Sequence, residues 1–108
     1  ENFKEGIGYG FVEWFHKNGQ LEHRINFKNG KKEGQEEFYY ENGQLTYRGN
    51  SKDNFMIGLW EWFHENGQLQ SKGNFKDGKE DGPWECFDEN GNLTKTEEYK
   101  NGELILIQ

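Results

Sequence analysis

KNGQL at 17–21, ENGQL at 41–45, ENGQL at 65–69 and ENGNL at 89–93 are four near-copies of one word, set 24 residues apart. The rest of the chain keeps step. Gly10, Gly34, Gly58 and Gly82 recur at the same interval, as do Glu13, Glu37, Glu61 and Glu85, the rings Phe15, Tyr39, Phe63 and Phe87, and Leu21, Leu45, Leu69 and Leu93. A fixed period of this length marks a repeat architecture, in which each copy buries its apolar face by stacking on its neighbours. The units run 10–33, 34–57, 58–81 and 82–105, with a partial repeat at 1–9, and form one domain over 1–108. The opening NFKEG matches the second half of a unit, so the array is expected to start mid-repeat, as a piece processed or cut from a longer chain.

Asn-Gly between two aromatic-rich runs is the strongest short-range hairpin signal, because a two-residue type I′ turn needs positive φ at both central residues. With Asn18-Gly19 as that turn, 17 faces 20, 16 faces 21, 14 faces 23, 13 faces 24 and 12 faces 25. This register sets Glu13 against Arg24, Glu37 against Arg48 and Glu61 against Lys72 on one face, each pair contributing ~0.2–1 kcal/mol; Glu85 faces Thr96 and lacks a cation. The other face collects Val12, Trp14, His16, Leu21, His23, Ile25 and Phe27 in the first unit, and Trp60, Trp62, His64, Leu69, Gly73 and Phe75 in the third. Across the array this predicts a core of Trp14, Leu21, Phe27, Phe38, Leu45, Trp60, Trp62, Leu69, Phe75, Trp84 and Leu93. A slip of one residue would bury the glutamates and expose the tryptophans, so the alternation specifies its own register.

A second, longer turn closes each unit at KNGK 28–31, KDNF 52–55, KDGK 76–79 and KNGE 100–103, with the Asn, Asp and Gly composition of turns. Gly10, Gly34, Gly58 and Gly82 then mark a bulge or a close backbone approach. No segment reads as a helix. The expected fold is all-β, a single-layer antiparallel meander or solenoid of about ten short strands.

Composition agrees. Hydrophobic residues make up only 31% of the chain, yet 17% of residues are aromatic and alanine is absent, so large rings must supply the burial. Fifteen glycines and few aliphatics suit pleated strands better than helices. The net charge of −7, without a cluster of Lys or Arg, argues against nucleic acid and against an anionic membrane. Cys86 stands alone, so no internal disulfide is expected.

The string Gly82-Pro83-Trp84-Glu85-Cys86-Phe87-Asp88-Glu89-Asn90-Gly91-Asn92-Leu93, with YKNGE at 99–103, resembles the bacterial MORN-repeat variant, whose pattern runs G-x-W-x-x-[YF]-x-x-N-G-x-L before an aromatic-Lys-x-Gly turn. Gly58, Trp60, Phe63, Asn66, Gly67 and Leu69 match it position by position. Val12 and Glu36 depart from the tryptophan, and the second unit also carries Ser51 for the aromatic and Asn54 for the turn glycine. The resemblance implies elongated β-meanders that act as scaffolds, binding modules and oligomerisation surfaces; many bacterial variants are labelled YwqK-like antitoxins, and others look exported or attached to the cell surface.

Chemistry finds little room in so regular a chain. His16 and His64 occupy one repeat position two units apart, too far to share an ion whose ligand bonds are about 2 Å. His23 approaches His16 only diagonally, with no carboxylate joining them, so no metal site is expected. Cys86 replaces Trp14, Phe38 and Trp62 and reads as a small buried hydrophobe opposite Lys95. KDGKEDG at 76–82 and DENGN at 88–92 lack the full oxygen pattern of a calcium loop. No catalytic residue and no cofactor are expected.

What remains is surface. The column Phe15, Tyr39, Phe63 and Phe87, flanked by Glu and Lys, is the candidate binding strip, and a protein partner is the leading expectation. Antitoxin or immunity action by direct binding is the alternative, and carbohydrate binding on exposed rings the third. ELILIQ at 103–108 is apolar on both faces and is either capped within the fold or paired with another copy or repeat. Both an exported or cell-surface and a cytoplasmic location suit these features.

Overall fold

The computed structural model describes residues 2–6 and 9–108, with side chains from residue 10 onward, so the partial repeat at 1–9 lies in part outside the described residues. Ten strands follow one another: β1 (Asn2–Gly6), β2 (Tyr9–Phe15), β3 (Leu21–Lys28), β4 (Lys31–Tyr39), β5 (Leu45–Lys52), β6 (Phe55–Phe63), β7 (Leu69–Lys76), β8 (Lys79–Phe87), β9 (Leu93–Lys100) and β10 (Glu103–Ile107). They lie side by side in chain order, every neighbour antiparallel, and no helix occurs among the described residues. The molecule measures 45 × 31 × 13 Å, a thin slab made by one ten-stranded sheet.

The two kinds of turn exchange the roles expected of them. At the NGQL tips only Gly19, Gly43, Gly67 and Gly91 take positive φ, near 90°. The first tip is a three-residue loop, closed by the His16 N–H donating to Gln20 O at 2.8 Å and the Gly19 N–H donating to His16 O at 2.9 Å. The two-residue geometry, positive at both positions, belongs instead to Asn29-Gly30, Asp53-Asn54, Asp77-Gly78 and Asn101-Gly102. Asn54 holds φ at 73° in place of glycine, since asparagine tolerates the left-handed region.

In the first three units the tip asparagines also bond the tip that follows. The Oδ1 of Asn18 accepts the Gln20 N–H at 2.9 Å while its Nδ2 donates to Glu41 O, on the next tip, also at 2.9 Å. Asn42 and Asn66 repeat this double bond, reaching Glu65 O and Glu89 O. Beside them His16 Nε2 donates to Tyr39 O, Tyr40 OH to Phe63 O and His64 Nε2 to Phe87 O. Asp88 occupies this place in the fourth unit and turns inward, accepting the Asn90 and Asn92 N–H groups. Those bonds, that from Asn92 first, hold its carboxyl below the usual carboxylate range.

Because the tip loop is longer than expected, pairing shifts at each one. Val12, Glu13 and Trp14 face Ile25, Arg24 and His23 as predicted, but Phe15 then faces Leu21, and Glu22 is the extra residue of a bulge. Tyr39, Phe63 and Phe87 face Leu45, Leu69 and Leu93 likewise. Directly opposed residues share a face, so these four leucines stand with the Phe15 column, not with the tryptophans as expected. A second bulge falls on β4, β6 and β8 at Gly34, Gly58 and Gly82, each at positive φ. Close approach occurs elsewhere: a Cβ on Gly49 would overlap the Trp60 ring, and one on Gly73 the Trp84 ring.

One face carries a file of rings running across the strands. Trp14 stacks on His23 at 4.2 Å, His23 on Phe38 at 4.5 Å and Phe38 on Tyr47 at 4.6 Å between centroids. Trp60, Trp62, Phe75, Trp84 and Tyr99 continue it. Such pairs contribute about 0.5–1.5 kcal/mol each beyond the area they bury. They matter here because a single layer has nothing to close over it: among the described residues Val12, Ile25 and Trp60 alone are buried hydrophobics.

The opposite face carries charges in sequence across the strands, Glu13, Arg24, Glu37, Arg48, Glu61, Lys72 and Glu85. Each cation thus has a glutamate on both sides. Arg24 pairs with Glu13 at 3.9 Å, Arg48 with Glu61 at 2.7 Å and Lys72 with Glu85 at 3.7 Å. Arg48 therefore meets the glutamate of the following unit instead of Glu37, and Glu85 receives its cation from the preceding strand.

Candidate functional site

The predicted strip Phe15, Tyr39, Phe63 and Phe87 lies beside this charged row. Phe15 is exposed and the other three are half-buried. Arg48 sits over the Phe63 ring at 5.7 Å and Arg24 over Phe11 at 4.3 Å, so guanidinium groups cover part of the aromatic surface. Leu93, opposite Phe87, is exposed.

The histidines differ from expectation in one respect. Glu22, brought round by the tip bulge, places its carboxylate 3.2 Å from His23 Nδ1 and 3.8 Å from His16 Nδ1. A carboxylate does join the two. No three His, Cys, Asp or Glu side chains among the described residues are grouped so as to hold a metal ion. Cys86 is half-buried between Ser71 and Lys95, and Lys95 Nζ pairs with Glu97 at 3.5 Å. β10 pairs with β9 through a bulge, and Leu104, Ile105, Leu106 and Ile107 are all exposed.

Two hollows open among the rings. One, of about 520 Å³, lies between Trp62 and Trp84 and is bordered by His64, Gln70, Ser71 and Cys86. The other, of about 420 Å³, lies where the second unit meets the third, and Lys32, Glu36, Tyr47, Ser51, Trp60 and Trp62 border it together with Asn54 and Met56. Glu36 is 4% exposed and Ser51 3%. Tyr47 OH donates to Glu36 Oε2 at 3.0 Å, Lys32 Nζ stands 3.5 Å from Glu36 Oε1, and Asn54 Oδ1 accepts the Lys32 N–H at 2.8 Å. Burial, then the neighbouring Glu36 carboxylate, pushes the Tyr47 hydroxyl well above its usual value. Glu36, Ser51 and Asn54 are the three departures of the second unit from the repeat, so the signal for this hollow was present in the sequence. Only their convergence was not.

A sequential antiparallel meander of hairpin units with side chains bonded from tip to tip defines a β-repeat protein. The MORN repeat variant profile matches residues 12–29, 32–53, 56–77 and 80–101, and the chain belongs to that family. Among solved structures it is similar to a chain of the accessory secretory protein 1, 2 and 3 assembly of Streptococcus pneumoniae, at 19% identity and a TM-score of 0.47, covering 92% of this chain and 18% of that one. A likeness at that level carries no argument. No curated protein matches the sequence.

Proposed function

We propose that this chain is a non-enzymatic protein-binding module that works through the faces of its sheet. The observation that carries the reading is the single layer, whose large rings remain half-exposed on both sides. Half-exposed rings gathered on a sheet face suit an interaction site, and the alternating charges beside the strip supply register and specificity. The repeat leaves almost every Gly, Asn and ring with a structural role, which is the pattern of a scaffold.

The test compares proteins captured from lysate by the immobilised chain and by two folded variants, one with Phe15→Ser, Tyr39→Ser and Phe63→Ser, the other with Trp84→Ser. Loss of specific partners from one variant supports the reading and identifies the working face. Identical capture by all three would remove it.

A further inference from the structure

We infer that the hollow bordered by Lys32, Glu36, Tyr47, Ser51, Trp60 and Trp62 is a receptor for a basic side chain, an arginine or lysine presented by a protein partner. The inference rests on the binding-module reading above and names the chemistry of one of its contacts.

The hollow exists because large rings are missing from one unit. In the third unit Phe75 packs edge-on between Trp60 at 5.9 Å and Trp84 at 5.2 Å. The same places in the second unit hold Glu36, Ser51 and Trp60, so a carboxylate and a hydroxyl stand where a tryptophan and a phenylalanine would fill the space. Three departures separated by up to 18 positions in sequence thus border one cavity.

The chemistry selects a cation. Glu36 has a side chain only 5% exposed, and a buried carboxylate needs compensating charge and hydrogen bonds. Tyr47 supplies one bond. Lys32 supplies the charge loosely, at 3.5 Å and from a side chain 40% exposed, well beyond the 2.7–2.9 Å typical of a charge-assisted bond. An incoming ammonium or guanidinium can therefore take its place on Glu36, while Lys32 returns to water at little cost. The Ser51 hydroxyl offers a second acceptor. Indole and phenol rings favour cations over anions, and the net charge of −7 adds to the attraction.

The experiment follows the Trp60 and Trp62 indole N–H resonances of the chain in two-dimensional NMR during titration with Nα-acetyl-arginine methylamide, Nα-acetyl-lysine methylamide, Nα-acetyl-citrulline methylamide and methyl glucoside. At least one basic amide is expected to give saturable shifts, with Kd on the order of 10 mM. Citrulline, which keeps the shape of arginine without its charge, is expected to bind at least about tenfold more weakly, as for loss of a charged hydrogen bond. Glu36→Gln and Ser51→Phe should each abolish the response while leaving the remaining backbone spectrum in place. No saturable shift with either basic amide would overturn the inference, as would equal binding of citrulline, an equal response to methyl glucoside, or a response surviving in either folded variant. The citrulline comparison needs only the unaltered chain, so it decides even if a variant misfolds. Because free amides need no partner, their failure to bind would leave the module reading standing, and identical capture by all three chains with intact amide binding would do the reverse.

Discussion

The second and third units share a backbone path and differ in what fills it. In the third, Trp60 lies flat on Gly49, donates its indole N–H to Asn50 O at 3.0 Å and meets Phe75 edge-on. In the second, the places of that tryptophan and phenylalanine hold Glu36 and Ser51, both buried, around a hollow. The strands, bulges and turns are nonetheless equivalent, down to Asn54 occupying the left-handed position of a turn glycine. The fold thus tolerates a polar unit so long as its neighbour is well packed. The buried tryptophan, Trp60, belongs to the third unit, and the buried residues of the second, Glu36 and Ser51, are polar.

The sharpest way to break this contrast is Trp60→Ala, which should cost about 3–5 kcal/mol, as for other buried tryptophans. Equilibrium unfolding in guanidinium would read it, and a loss under about 1 kcal/mol would show that the two units carry equal weight. Gly49→Ala comes next. Its methyl would strike the Trp60 ring, and overpacking of this kind costs about 1–3 kcal/mol; a neutral result would mean that the indole can move aside. Converting the second unit toward the third, with Glu36→Trp and Ser51→Phe together, should raise stability by about 0.5–2 kcal/mol, as filled cavities do. A destabilised double variant would indicate that the hollow is too shallow for two rings.

The smallest expected effect is a pH dependence. Tyr47 has its folded hydroxyl raised above the ordinary tyrosine value of 10.0, so it favours the folded state fully below pH 10 and less as pH rises beyond it. Unfolding midpoints should fall above pH 10, and Tyr47→Phe should flatten that fall relative to the unaltered chain. Tyr39 and Tyr99 are also raised, so part of the slope should survive. An unchanged slope would separate Tyr47 from the buried carboxylate.

Much of this was legible in the sequence, for a physical reason. Opposite charges at Glu13 and Arg24, and rings at Trp14 and His23, specify strand pairing locally, and those pairs form. What escaped was set by the neighbouring unit. The asparagines of the first three tips also bond the tip that follows, and no reading of one hairpin contains those bonds. Glu85 finds its cation on the preceding strand, and Glu22 reaches His23 only because the tip bulges. The Glu36 hollow was visible as three anomalies in one unit but not as one place, because convergence across two units is a tertiary fact.

The margins of the ribbon carry a constraint on how such chains can change length. On one side the amides of Asn18, Asn42 and Asn66 both close their own loops and grip the next; on the other, Asn54, Gly78 and Gly102 donate their N–H groups back to Lys32, Met56 and Glu80. An insertion of a single residue would throw both seams out of step at once. Whole units can be added or removed with the stitching intact, so growth by duplication is the path the geometry leaves open.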